Sequence, residues 1–131
     1  MKETYDFIKN AGGVYFLATI DNDQPRVRPF GTLEIIEDKL YIQTGKIKNV
    51  SKQIEKNNNV EICAFNDGKW IRITGKLIRD DRKEIKKEML DKNPELRGMY
   101  SEEDDNTEVL YFKDATATIS SFTEESKVYN F

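Results

Sequence analysis

The residues of this sequence best suited to chemistry fall in two short stretches. In the first, around Pro25 to Gly31, Arg26 and Arg28 stand two apart, so an extended strand puts them on one face. Pro29 cannot donate to a strand ladder, which leaves backbone groups beside it for something other than a neighbouring strand. Arginine presents planar, paired donors that suit a phosphate or the oxygen edge of a heterocycle. The plainer reading is two solvated arginines answering surface carboxylates on an edge strand. In the second stretch, Tyr41 to Asn49, a strand end, Gly45 and a lysine-bearing helix start follow in order. Free N–H groups at a helix N-terminus carry partial positive charge. The Thr44 hydroxyl and the ammonium of Lys46 or Lys48 would add charge-assisted bonds, so this stretch suits a phosphate. The alternative here is an ordinary lysine-rich helix in water.

Other chemistries are excluded by what is missing. The chain has no His and a single Cys63, so Ser-His-Asp and Cys-His catalysis are out, and no metal site is expected. A lone cysteine cannot close an internal disulfide, which suits a reducing compartment. Its neighbours in sequence supply no cation to lower a thiol pKa, and its place in the 60–65 strand reads as a small buried residue. The N-terminus mixes charges throughout, unlike a secretory signal, and no apolar run approaches the roughly 20 residues of a membrane span. A cytoplasmic location is the expectation. The net charge of -3 argues against a dedicated nucleic-acid binder. Charge is nonetheless partitioned, with Lys46, Lys48, Lys52 and Lys56 opposed locally by Glu55 alone, and acidic residues clustered at 102–105. That acidic stretch reads as a mobile surface loop.

These stretches need elements to position them. With 131 residues and no flexible linker, the chain is expected to form one domain over residues 1–131. A short helix over residues 2–10 precedes Gly12-Gly13. A buried strand over 14–20 follows, then a second strand over 25–36 and a third over 39–44, expected as an antiparallel meander. Ile47, Val50 and Ile54 recur at helical spacing, with Asn49 as N-cap. Strands over 60–65 and 69–79 join at Asn66-Asp67-Gly68, a hairpin signal. Asp81 and Glu84 open a helix that ends before Pro94, and two strands, 109–113 and 115–122, lead to the tail. Helices set between antiparallel hairpins favour a barrel over a parallel sheet, and neither usual glycine-rich phosphate loop occurs.

Four segments taken in order, VYFLATIDNDQPRVRPF (14–30), LYIQTGKIKNVSKQI (40–54), NNNVEICAF (57–65) and WIRITGKL (70–77), resemble the pyridoxamine-5′-phosphate-oxidase-like family, including its general-stress-protein and nitroimidazole-resistance branches. The resemblance implies a mainly β, α+β fold, the antiparallel FMN-binding split β-barrel with short flanking helices. It implies FMN as cofactor, with Arg26, Val27, Arg28, Pro29 and Phe30 along the ring and Thr44, Lys46, Lys48 and Asn49 at the phosphate. It also implies a homodimer with flavins at the interface, where Trp70 would supply an aromatic wall; packing alone is the other reading of this tryptophan. The activity implied is that of an oxidoreductase passing hydride or electrons to a small-molecule substrate, with NAD(P)H as an admissible donor. A non-enzymatic flavin- or haem-binding protein is the alternative. Oxidation of pyridoxamine phosphate itself is not expected, because the chain ends in Val128-Tyr129-Asn130-Phe131 without the Arg/His segment of the authentic oxidases. The catalytic side chain is left unassigned.

Overall fold

The structure, a computed structural model, describes residues 1–131. Helix α1 (Lys2–Asn10) lays Ile8 against the core and is stopped by Gly12 and Gly13, both with positive φ. Strand β1 (Tyr15–Asp21) alternates buried Tyr15, Leu17 and Thr19 with outward Phe16 and Ile20. A tight turn with Asn22 at φ 58° returns the chain as β2 (Gln24–Phe30). The long second strand read from the sequence is in fact two. The chain leaves extended pairing at residues 31–33, and β3 (Glu34–Ile36) pairs with β4 (Lys39–Gly45) at the far end of the sheet. The reason is burial: Leu33 enters the core while β2 stays at an edge, so the expected three-stranded meander does not form.

Helix α2 (Asn49–Lys56) covers the inner face with Val50 and Ile54. The hairpin of β5 (Asn59–Asn66) and β6 (Lys69–Asp80) turns at Asp67-Gly68 as expected. Helix α3 (Lys83–Lys92) buries Ile85 and Met89, but Asp81 does not cap it. Instead the Asp80 carboxylate accepts the Arg82 N–H at 3.1 Å. A short 3-10 turn (Pro94–Gly98) follows. The two last strands expected from the sequence are one continuous β7 (Thr107–Ser121), kinked where Asp114 adopts φ 53° opposite a register shift at Gly75.

That kink divides the sheet. The first half of β7 lies between β6 and β4, and its second half between β6 and β8 (Lys127–Asn130). The order is β2-β1-β5-β6-β7-β4-β3, antiparallel throughout, with both ends open. This is an α+β split barrel. Its interior holds Tyr15, Leu17, Ile42, Ile62, Ile73 and Ala117, all fully buried. None of the helices is long and apolar enough to cross a membrane.

Candidate functional site

The two sequence stretches meet where α2 crosses the inner face beside β2. Arg26 and Arg28 pair with Thr19 and Leu17 of β1, so both side chains share the inner face and reach toward α2. Arg28 donates to Leu17 O (3.1 Å), Thr19 Oγ1 (2.8 Å) and Gln53 Oε1 (2.7 Å), and Thr19 Oγ1 donates to the same Gln53 oxygen at 2.6 Å. This network fixes β2, β1 and α2 relative to one another. Burial, and then the neighbouring charge of Arg26, lower the Arg28 pKa from its usual value.

Between these elements runs a groove of about 760 Å³, lined by Arg26, Val27 and Arg28 on one side and Asn49, Lys52, Gln53 and Lys56 on the other. The α2 residues stand at i, i+3, i+4 and i+7, a polar stripe turned away from buried Val50 and Ile54. Arg26 is paired with Asp21 (3.2 Å) and Lys46 with Asp105 (3.6 Å), whereas Lys48, Lys52 and Lys56 form no ion pair. The N-terminus of α2 adds to this charge. Its N-cap is Lys48, Asn49 is the first helical residue, no side chain caps it, and its first turn contains no acidic residue.

On the other side of Pro29 a smaller hollow of about 170 Å³ is lined by Pro29, Phe30, Thr44, Lys48, Met99 and Tyr100 among others. Thr44 is 2% exposed, and its hydroxyl lacks any hydrogen-bond partner. An orphaned buried hydroxyl is costly and is satisfied by a polar ligand atom or by water. The outer edge of β2 is also unpaired. Pro25, Val27 and Pro29 occupy the alternate positions whose amides point away from β1, and the prolines leave Val27 as the sole N–H donor along that rim.

The residues expected from the sequence therefore divide. Arg26, Val27, Arg28 and Asn49 line the large groove, and Pro29, Phe30, Thr44 and Lys48 line the adjoining hollow. Lys46 lies on the turn between them, held by Asp105. Trp70 enters neither; it sits on the outer sheet face against Phe122, with ring centroids 5.1 Å apart. Gln53 and Thr19 escaped the sequence reading, and Lys52 and Lys56 entered it only as part of a basic run, although helical spacing from Asn49 points to the three on α2. Met99 and Tyr100 carry no local signal. They arrive through the 101–106 turn, whose Asn106 O and Oδ1 accept the N–H groups of Lys46 and Ile47 (2.8 and 3.2 Å). This acidic turn is tied down where a mobile loop was expected. Burial raises the Asp104 pKa, but backbone N–H donors from Thr107, Ser101 and Asn106 outweigh it and hold the carboxyl at about 2.

Comparison with known proteins bears on this geometry. The profile of the family described as pyridoxamine 5′-phosphate oxidase matches residues 1–120. Among solved structures, a NimC/NimA family protein from Clostridium acetobutylicum is 43% identical, with 100% of this chain and 92% of that chain covered at a TM-score of 0.95. A pyridoxamine 5′-phosphate oxidase-related, FMN-binding protein from Nostoc punctiforme is 13% identical, covering 99% of this chain and 95% of its own at a TM-score of 0.65. A haem-binding protein from Mycobacterium smegmatis is 10% identical, covering 92% of this chain but 55% of its own at a TM-score of 0.71. At those lower identities the likeness is one of fold. No curated protein matches the chain. With the split barrel, the order of its motifs and a profile match over nearly its whole length in agreement, the chain belongs to the pyridoxamine 5′-phosphate oxidase family.

Proposed function

We propose that the chain binds FMN between β2 and α2 and acts as an oxidoreductase on a small-molecule substrate. The observation that carries this reading is the run of uncompensated positive charge along the groove. Lys52 and Lys56 face the groove without an ion pair, and Lys48 stands unpaired at the uncapped start of α2, where a phosphate dianion would be neutralised with help from Lys52. The donor set fits FMN in a second way: the orphaned Thr44 hydroxyl and the Val27 N–H are polar groups awaiting a partner along one path. A haem would ask for an axial ligand, and the chain has no His; the large groove also lacks Cys, Met and Tyr, leaving only Met99 and Tyr100 in the adjoining hollow. FMN, when bound, supplies a ring that takes up hydride or electrons without a protein general base, which agrees with a chain lacking histidine.

The roles of the residues follow from their placement. Lys48, Lys52 and Asn49 hold the phosphate with the α2 N-terminus, and Arg26 lies above the groove with its charge shared by Asp21. Arg28 keeps β2 at a fixed distance from α2 through Gln53 and Thr19. Val27, Pro29 and Phe30 present the strand on which the ring rests. The outer sheet face exposes Phe16, Val27, Phe65 and Phe122, from 52% to 94% accessible. Such a patch on a small domain suits a second copy of the chain, and Trp70, set on that face, would then wall the partner's flavin.

The test is the absorbance spectrum of protein reconstituted with FMN and freed of excess ligand. Retained flavin bands, bleached by NADH or NADPH with turnover of an acceptor, are the expected result. Bands without turnover would reduce the reading to a flavin binder, and absence of bands would reject it.

A further inference from the structure

A second groove lies on the opposite side of α2, between its C-terminal half and strands β6 and β7, with a volume of about 440 Å³. That volume is within the ordinary range for small-molecule sites. Ile54, Leu77 and Leu110 make its floor apolar. At one wall Glu108, 1% exposed, accepts Arg79 Nε on Oε2 at 2.5 Å, while its Oε1 is buried without any hydrogen-bond partner. Arg79 in turn is 36% exposed, and its two terminal nitrogens make no hydrogen bond within the chain. A buried carboxylate oxygen left without a donor is costly, and the flavin site proposed above makes no use of it.

We infer that this groove binds a planar, neutral ligand presenting an amide edge, that is, an N–H donor beside a carbonyl acceptor, as in a ring carboxamide or a nucleobase. Glu108 Oε1 accepts the ligand N–H, and the free Arg79 nitrogens donate to its carbonyl. Neutrality follows from charge balance. Glu108 is already answered by Arg79, and the rim adds one acid and one base, Glu55 and Lys56, so the lining as a whole carries no net charge to answer an ionic ligand. The aliphatic floor of Ile54, Leu77 and Leu110 would take the face of such a ring. The groove touches the flavin groove only at Lys56 and Asn57, so occupancy of the two is separable.

The experiment is an amide NMR titration of the purified protein with nicotinamide, repeated with nicotinate, in which a carboxylate replaces the carboxamide. Nicotinamide is expected to shift the amides of Ser51, Asn57, Leu77, Arg79 and Glu108, with FMN present or absent. Nicotinate should bind roughly tenfold or more weakly, since its carboxylate would face Glu108. Arg79→Lys, at a half-exposed position, should weaken nicotinamide by about tenfold through loss of the planar fork. The inference is overturned if nicotinamide leaves those amides unmoved up to its solubility, if nicotinate binds equally well, or if shifts appear only along β2. The nicotinate comparison uses the unaltered chain, so it decides the matter even if Arg79→Lys does not fold. None of these outcomes depends on whether FMN binds.

Discussion

Lys52→Ala tests the phosphate assignment through a difference between two ligands. Lys52 faces the large groove, one turn into α2, and has no carboxylate partner. Riboflavin and FMN share ring and ribityl chain and differ in a phosphate carrying about two negative charges. A unit pair about 4 Å apart is worth about 1 kcal/mol in water and about 4 kcal/mol at a protein surface. Because Lys52 borders an open groove, the lower part of that range applies, about 1.5 kcal/mol, which is roughly tenfold in Kd. Titration by quenching of flavin fluorescence should therefore show FMN weakened about tenfold and riboflavin nearly unchanged. At 1 M salt, where the screening length is about 3 Å, the difference should shrink. Lys46→Ala, at a residue already held by Asp105, should cost less than Lys52→Ala. Equal losses for FMN and riboflavin would overturn the placement of the phosphate beside Lys52, and so would a Lys46 effect larger than that of Lys52.

Further predictions concern the frame around the site. The Arg82 guanidinium holds the Asp80 carboxyl down to about 2, against burial and with help from Tyr41, whereas the unfolded chain binds that proton near pH 4. Its contribution is intact above about pH 4 and lost as pH falls to about 2. Asp80→Asn should therefore flatten this acid limb by about 2 kcal/mol in denaturant titrations run at several pH values. A Cβ on Gly75 would meet Ala115 Cα at 3.1 Å and Lys113 O at 3.3 Å, backbone that cannot swing aside. Gly75→Ala should thus lower the urea midpoint by the equivalent of about 1–3 kcal/mol. Phe65→Glu, on the exposed outer face, should convert the proposed dimer to monomer in sedimentation velocity without lowering the melting temperature of the monomer fold.

Much of the frame was legible because local rules agreed. Glycines after α1, helical spacing through Val50 and Ile54, and the Asp67-Gly68 turn each placed an element within a residue or two. Where the reading failed, a long-range preference had overridden a local one. Nothing nearby in sequence says that Leu33 is taken into the core and so breaks the strand after Phe30, or that Asp114 is absorbed as a bulge opposite Gly75. Asp81 looked like a helix cap by spacing, yet α3 starts after Arg82 with no side-chain cap, and Asp80, drawn in by Tyr41 and Arg82, holds the chain just before it. The candidate site was half visible for a similar reason. Arg26, Arg28 and Lys48 stand out by type and order. Lys52 and Gln53 matter through the face of α2 they share with Asn49, and Met99 and Tyr100 reach the site across more than fifty residues of chain.

The central claim is that the β2–α2 groove holds FMN with its phosphate at the start of α2. A crystal structure of the protein grown with excess FMN measures this directly. Flavin is expected in the groove of each subunit, its phosphate beside Lys48, Asn49 and Lys52 and its ring edge along Val27 to Phe30. A groove filled by the protein's own side chains in every copy, or a flavin bound with its phosphate remote from α2, would contradict it.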